Sequence, residues 1–234
     1  MTGTKELTKL IQQENWQLAE MQLKHHPEQA KSWSVRPGFF EGIKESEVLP
    51  IHEACALHPP VSFIDAMGYA YPKCFRLKES AYRRMPIHIA CRAGCDVKVI
   101  STILKYHING AATDDSLGRL PIHYALSNGA AEDVIFALIK ACPGSARAYD
   151  RRGWLPIHVA CSVGAGTEII KSLLEEHPAS AVLETNKGST PAKLIESATA
   201  SNRDEVLSML KAAEVKWKEE HVQARRPTSA RILV

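Results

Sequence analysis

The chain has 234 residues, enough for one or two domains at the usual ~150 residues each. Hydrophobic residues make up 45% and charged residues 24%, which excludes wholesale disorder. The 29 basic and 26 acidic residues give a net charge of +3, a near-balance that does not announce a nucleic-acid protein but leaves room for a local basic patch.

Met1 to Glu20 is polar and lacks the apolar core of a signal peptide. No stretch approaches the ~18 consecutive apolar residues of a membrane span. The six cysteines are therefore expected as reduced thiols, and the chain as intracellular, cytoplasmic or nuclear. Trp16 to Ala30 reads as the second half of a worn repeat unit, because it ends in His26-Pro27-x-x-Ala30 just as Thr167 to Ala181 ends in His177-Pro178-x-x-Ala181. From Pro27 to Pro50 the gap is 23 residues, where later equivalent gaps are 14, 13, 13 and 13. The surplus is an insert carrying Trp33, Phe39 and Phe40. These aromatics either fold back over the N-terminal cap or form a partner-binding loop.

From Pro50 onward the chain repeats. Pro50-Ile51-His52, Pro86-Ile87-His88, Pro121-Ile122-His123 and Pro156-Ile157-His158 open units 1 to 4, and Pro191-Ala192-Lys193 opens a degenerate unit 5. The steps between these prolines are 36, 35, 35 and 35. A second marker (Pro72, Ile108, Pro143, Pro178) follows each Pro-x-His proline by 22 residues. The unit is thus two elements of fixed length. In unit 4, proline at the first helical turn starts a helix, and Ile157, Ala160 and Cys161 share one face at i, i+3 and i+4. Gly164 to Thr167 breaks it; Ile169, Ile170, Leu173 and Leu174 form the apolar stripe of a second helix, which His177-Pro178 ends. A pair this short has too little core to stand alone, so neighbours must stack.

The run Asp150-x-x-Gly153-x-Leu155-Pro156-Ile157-His158-x-Ala160-Cys161-x-x-Gly164 resembles the ankyrin-repeat signature, in register, over about residues 42 to 213. The resemblance implies an all-α solenoid of helix-turn-helix units with β-turn or hairpin connections, and a non-catalytic role in protein–protein interaction. Three departures stand out. Leu49, Met85, Leu120 and Leu155 replace the threonine before proline, which only Thr190 keeps. The period is 35 rather than the usual ~33, with an extra residue expected after Gly94, Gly129 and Gly164. Arg83 stands where the turn glycine belongs, so a distorted turn is expected in unit 2.

Four histidines at a fixed step suggest a metal array, but packed helices lie about 8–10 Å apart while two ligands of one zinc lie within about 4 Å. The resemblance instead implies that Pro50, His52, Pro86, His88, Pro121, His123, Pro156 and His158 are structural, each histidine tying neighbouring turns together. The His-x-x-Cys pairs His52/Cys55, His88/Cys91 and His158/Cys161 look like thiol–imidazole dyads. The cysteine, however, falls where the family places a core alanine, and Leu126 fills that place in unit 3. Cys91 and Cys95 lack a second pair to complete a metal site. No phosphate loop, nucleophile elbow or zincin motif occurs. No catalytic residue, metal or cofactor is expected, and no small-molecule ligand.

In ankyrin proteins the partner meets the turn fingers and the first-helix face. Carried over by position, this offers Arg84 and Arg92 in unit 2, and Ser116, Leu117, Arg119, Ser127 and Asn128 in unit 3. Unit 4 offers Arg151, Arg152, Trp154, Ser162 and Val163, and unit 5 Lys187 and Ser189. All six charged members are basic. An adaptor or scaffold binding an acidic protein segment on this stripe is the leading reading. A structural subunit of a large assembly, using the aromatic insert, is the alternative. Nucleic-acid binding ranks below both, since no recognition motif accompanies a net charge of +3.

The expected layout is a cap with insert over 1–41, five repeats over 42–213, and a helix extension with a basic tail over 214–234. In the tail, Arg225-Arg226-Pro227-Thr228 resembles a basophilic kinase site, and Ile232-x-Val234 a strand-adding terminus.

Overall fold

The structure, a computed structural model, describes residues 6–40 and 44–224, with the side chains of residue 40 and of 220–224 outside that description. Helices come in pairs. The N-terminal pair is α1 (Glu6–Gln12) and α2 (Trp16–His25), followed by the strands β1 (Ser34–Phe40) and β2 (Lys44–Val48). The five units then contribute α3 (Pro50–Cys55) and α4 (Val61–Ala70), α5 (Pro86–Ala93) and α6 (Val97–Tyr106), α7 (Pro121–Ser127) and α8 (Glu132–Ala141), α9 (Pro156–Val163) and α10 (Thr167–Glu176), and α11 (Pro191–Ser197) and α12 (Arg203–Ala224). First helices pack on first helices of the adjacent units, and second helices on second helices. The result is an all-α solenoid of helix pairs.

The start of each first helix follows from three residues. Proline at the first helical position lacks only an N–H that would be orphaned there. Two residues on, the histidine accepts at Nδ1 from the backbone N–H just before the proline: 3.0 Å to Leu49, 3.1 Å to Met85, 3.1 Å to Leu120 and 3.0 Å to Leu155. With Nδ1 an acceptor, Nε2 carries the proton, and it donates into the next unit. Its acceptors are the carbonyls of Leu77 at 3.0 Å, Thr113 at 2.9 Å and Leu183 at 3.0 Å. His123 differs, reaching the Trp154 carbonyl at 3.2 Å. In unit 5 Thr190 does the capping, accepting at its hydroxyl from the Lys193 N–H at 3.3 Å.

The inner seam repeats as well. Ile51, Ile87, Ile122 and Ile157 are buried, as are Ala54, Ala90, Ala125 and Ala160 behind them. Each such isoleucine contributes roughly 1.5–3 kcal/mol of burial. Gly68 has a different reason to be small: a Cβ there would lie 2.1 Å from the Tyr106 ring. That ring stacks on Phe75 at 4.8 Å, and its hydroxyl donates to Asp65 at 2.9 Å.

Three elements differ from the sequence expectation. The N-terminal half-unit is a complete pair, because α1 supplies a first helix that packs on α2 and α3. Only Leu7 and Ile11, one turn apart, are buried in it. The insert is a two-stranded antiparallel hairpin with Ser34 opposite Val48 and Arg36 opposite Ser46. Its β2 edge is tied to unit 2, since the Ser80 N–H donates to the Glu47 carbonyl at 3.3 Å and the Glu47 N–H to Ser80 Oγ at 2.8 Å. Pro37, with no N–H to offer, stands in the outer strand β1, a residue that discourages further strand pairing.

The third concerns the turn of unit 2, which is not distorted. Arg83 adopts φ +57°, in the same left-handed region as Gly118 at +72°, Gly153 at +74° and Gly188 at +72°. The one extra residue of this unit is absorbed upstream. Asp115 lies six residues before its proline and Asp150 six before its own, but Glu79 lies seven before Pro86. Its longer side chain spans the longer loop, accepting from the Ala81, Tyr82 and Arg84 N–H groups at 2.6, 2.9 and 2.9 Å.

Candidate protein-interaction face

The turn fingers are joined in a backbone ladder. The N–H of Ser116 donates to Tyr82 O at 2.8 Å, Arg151 to Leu117 O at 3.0 Å, and Asn186 to Arg152 O at 3.0 Å. Inside each finger a carboxylate folds the turn. Asp115 accepts from the Leu117 and Arg119 N–H groups at 2.8 and 3.0 Å, and Asp150 from those of Arg152 and Trp154 at 2.8 and 2.9 Å. Such double acceptance fixes the fingertip before any partner arrives.

The second oxygen of each aspartate reaches back one unit. Arg84 Nε donates to Asp115 Oδ2 at 3.4 Å, and Arg119 Nε to Asp150 Oδ2 at 3.4 Å. This overturns the expectation that Arg84 is an exposed contact residue: it is only 4% accessible. Its guanidinium lies between two aromatic rings, 4.5 Å from the Tyr82 centroid and 4.8 Å from that of Tyr124, and its Nε also donates to the Tyr124 hydroxyl at 3.1 Å. Arg119 is half-withdrawn, its side chain 28% exposed and its guanidinium 5.5 Å from the Tyr124 centroid. A buried cation needs such partners, because an unpaired one costs several kcal/mol.

Tyr124 is the hub that sequence reasoning missed. Its hydroxyl donates to Asp115. Burial, then this hydrogen bond, pushes its pKa up to about 12, so it stays a donor. Burial also pulls the Asp115 pKa upward, but hydrogen bonds from Tyr124 and from the Arg119 and Leu117 N–H groups outweigh it, and the carboxyl ends below its ordinary value. A signal existed: units 2 and 4 place Ile89 and Val159 where unit 3 has Tyr124. A phenol at a core position calls for a buried polar partner.

Arg84, Arg92, Leu117, Arg119, Ser127 and Asn128, six of the expected contact residues, line one pocket of about 360 Å³ with Tyr82 and Tyr124. It lies at the seam between units 2 and 3. Arg151, Arg152 and Lys187 are not in that lining; they are exposed on the fingers of units 4 and 5. Trp154 is half-buried, with its ring set edge-on to His158 at 6.3 Å. The aromatics of the insert part company. Phe39 packs against the core while Trp33 remains 46% exposed, 6.0 Å from the His52 ring. The Phe40 side chain, Arg225 to Thr228 and Ile232 to Val234 lie outside the described residues.

The His-x-x-Cys pairs hold no poised nucleophile. Cys55, Cys91 and Cys161 are buried in the seam, and burial drives their thiol pKa values up, Cys161 to about 12. Burial also drives the pKa values of His52 and His88 down to about 4, against smaller upward pulls that include the carbonyls they bond. Among the described residues, no helix is long and apolar enough to cross a membrane. No curated protein matches the chain. Residues 87–139, covering most of unit 2 and the two helices of unit 3, match the family model for ankyrin repeats (many copies). Residues 87–139 thus carry ankyrin repeats, and helix pairs of the same form recur on both sides of that match.

Proposed function

We propose that this chain is a non-catalytic adaptor or scaffold that holds an acidic segment of a partner protein across its finger face. Ankyrin repeats are in general protein–protein interaction modules. The observation that carries the finer reading is the exposure of Arg151, Arg152 and Lys187 on two successive fingers, beside the half-buried Trp154. Arginine and tryptophan are enriched among residues that dominate binding energy. The backbone ladder and the aspartate-capped turns hold these side chains on a fixed frame, which lowers the ordering cost of association. In this reading 42–213 recognises the partner, 1–41 caps one end and 214–234 extends the other, in the cytoplasm or nucleus.

The test is affinity capture from nuclease-treated native extract at two salt concentrations, comparing the wild-type chain with Arg151→Glu/Arg152→Glu/Lys187→Glu. A protein retained by the wild type and lost by the variant supports the reading. Equal retention by both breaks it, and loss of all capture after nuclease treatment moves the role to nucleic acid. A second reading, a structural subunit docking through the hairpin, is favoured by the exposure of Trp33 and Val35, at 46% and 55%. It predicts a stable stoichiometric complex that survives the triple substitution.

A further inference from the structure

We infer that the finger face recognises acidic residues at every third position of an extended partner segment, one carboxylate for each of the fingers of units 3, 4 and 5. The inference rests on the reading of the finger face given above and gives the partner a spacing.

Arg151, Arg152 and Lys187 form a row of cations, one to a finger. Arg152 and Lys187 hold the same place on the fingers of units 4 and 5, two residues after Asp150 and Thr185. Leu117 holds that place in unit 3, but Arg151 of the next finger supplies the charge there. Its side chain sets out across Gly118: a Cβ on that glycine would lie 3.5 Å from Arg151 Cγ. All three cations are exposed, and among the described residues none of their side chains forms an ion pair or a hydrogen bond. Arg84 and Arg119, by contrast, are matched by aspartates within the fold. On the finger of unit 5, Glu184 Oε2 lies 3.9 Å from the place of a Gly188 Cβ, and Lys193 Nζ donates to the Gly188 carbonyl at 3.0 Å. The charges set beside Lys187 are thus one of each sign.

The ladder sets the step. Stacked helices lie about 8–10 Å apart. The bonds from the Arg151 N–H to the Leu117 carbonyl and from the Asn186 N–H to the Arg152 carbonyl, both 3.0 Å, tie the fingers to that stacking. Asn186 Nδ2 adds a further bond, to the Arg151 carbonyl at 3.1 Å. A chain in the polyproline II conformation rises ~3.1 Å per residue with three residues per turn, so every third side chain returns to one side after about 9 Å. In a β-strand, residues two apart share a side but span only about 6.6 Å, and residues three apart face opposite ways. The ladder also occupies backbone groups at the fingertips, which leaves an incoming strand few to pair with; polyproline II needs none. One exposed charge pair is weak alone. Three in register add up, and a segment already held straight loses little freedom in making them.

The experiment measures fluorescence anisotropy of labelled peptides on the full chain at one fixed salt concentration. One peptide repeats Glu-Pro-Pro, a second has the same residues with its glutamates consecutive, and a third has glutamine for glutamate. The first two carry equal charge, so a basic surface without spacing binds them alike. The expected result is that the spaced peptide binds about five- to tenfold tighter than the clustered one, with the glutamine peptide weakest, and that Arg151→Ala, Arg152→Ala and Lys187→Ala each weaken the spaced peptide by about two- to fivefold. The three positions are exposed, so these variants are expected to keep the wild-type thermal unfolding profile. Equal binding of the spaced and clustered peptides overturns the spacing and leaves the finger-face reading standing. Tighter binding of the spaced peptide that none of the three substitutions weakens overturns its placement on these fingers. If neither acidic peptide binds, the inference falls, and the capture experiment judges the finger face separately.

Discussion

Units 2 and 3 and units 4 and 5 present the same repeat positions to the same face, yet they use positive charge in opposite ways. Two residues before the helix-opening proline stand Arg84 and Arg119 in the first pair, and Trp154 and Ser189 in the second. Where arginine holds that position, the aspartate of the following unit reaches it, and the charge is drawn into the seam. Where it does not, the basic residues sit at the fingertips, at Arg151, Arg152 and Lys187, and stay in solvent. Equivalence of position therefore does not bring equivalence of exposure. What decides is the residue supplied by the next unit.

The largest expected effect sharpens this contrast through pH. His52 and His88 have folded pKa values of about 4, below the ordinary 6.5, because burial disfavours the imidazolium. The unfolded chain then binds more protons between those values, so their contribution is complete above about pH 6.5 and is lost as pH falls towards 4. Protonation also turns Nδ1 into a donor facing the donating N–H of Leu49 or Met85. Hydrogen exchange at descending pH is expected to show α3 and α5 losing protection across this window. Uniform protection down to pH 4 contradicts it.

Next comes the ion-pair ladder. Asp115→Ala strips a buried arginine of its carboxylate partner Asp115 and two turn N–H groups of their acceptor, with an expected loss of about 3 kcal/mol in chemical denaturation. Thr185 occupies the equivalent place in unit 5 and, among the described residues, its hydroxyl accepts from the Ser189 N–H alone, at 3.2 Å. Thr185→Ala should cost about 1 kcal/mol. Similar losses for the two variants erase the distinction between the halves. The turn residues with positive φ give a further contrast, whose smaller member is the smallest effect of all. A Cβ on Gly153 would lie 2.8 Å from the backbone N of Asn186, at a φ of +74°. Gly153→Ala is thus expected to cost at least ~1–2 kcal/mol, whereas Arg83→Gly relieves the same strain at the price of chain entropy and should fall within about 1 kcal/mol of neutral. Thermal unfolding of the two variants separates them.

The helix pairs were legible because proline and histidine do one structural job each and recur at a fixed step. The helix α1 was not, since two buried residues in a polar stretch leave little periodic trace. The buried state of Arg84 was hidden for another reason: a charged residue shows its fate only through a partner far along the chain. The clue lay in spacing, for Arg84 and Asp115 are 31 residues apart, and so are Arg119 and Asp150. The pocket was half-legible. Its arginines were found by repeat position, while Tyr82 and Tyr124, which hold Arg84 between them, were not.

The longer loop folded by Glu79 bears on whether the units can trade places. Units 3 and 4 have the same length, the same aspartate and the same turn glycine, so exchanging them keeps the form of the turns, although Arg119 would then face Thr185 instead of Asp150. Unit 2 is matched to its upstream neighbour instead: Ser46 of the hairpin donates to Glu79 at 2.6 Å, and Ser80 joins Glu47. The first joint is thus keyed to one order of assembly, and duplication or reshuffling of modules is compatible with this architecture only downstream of it.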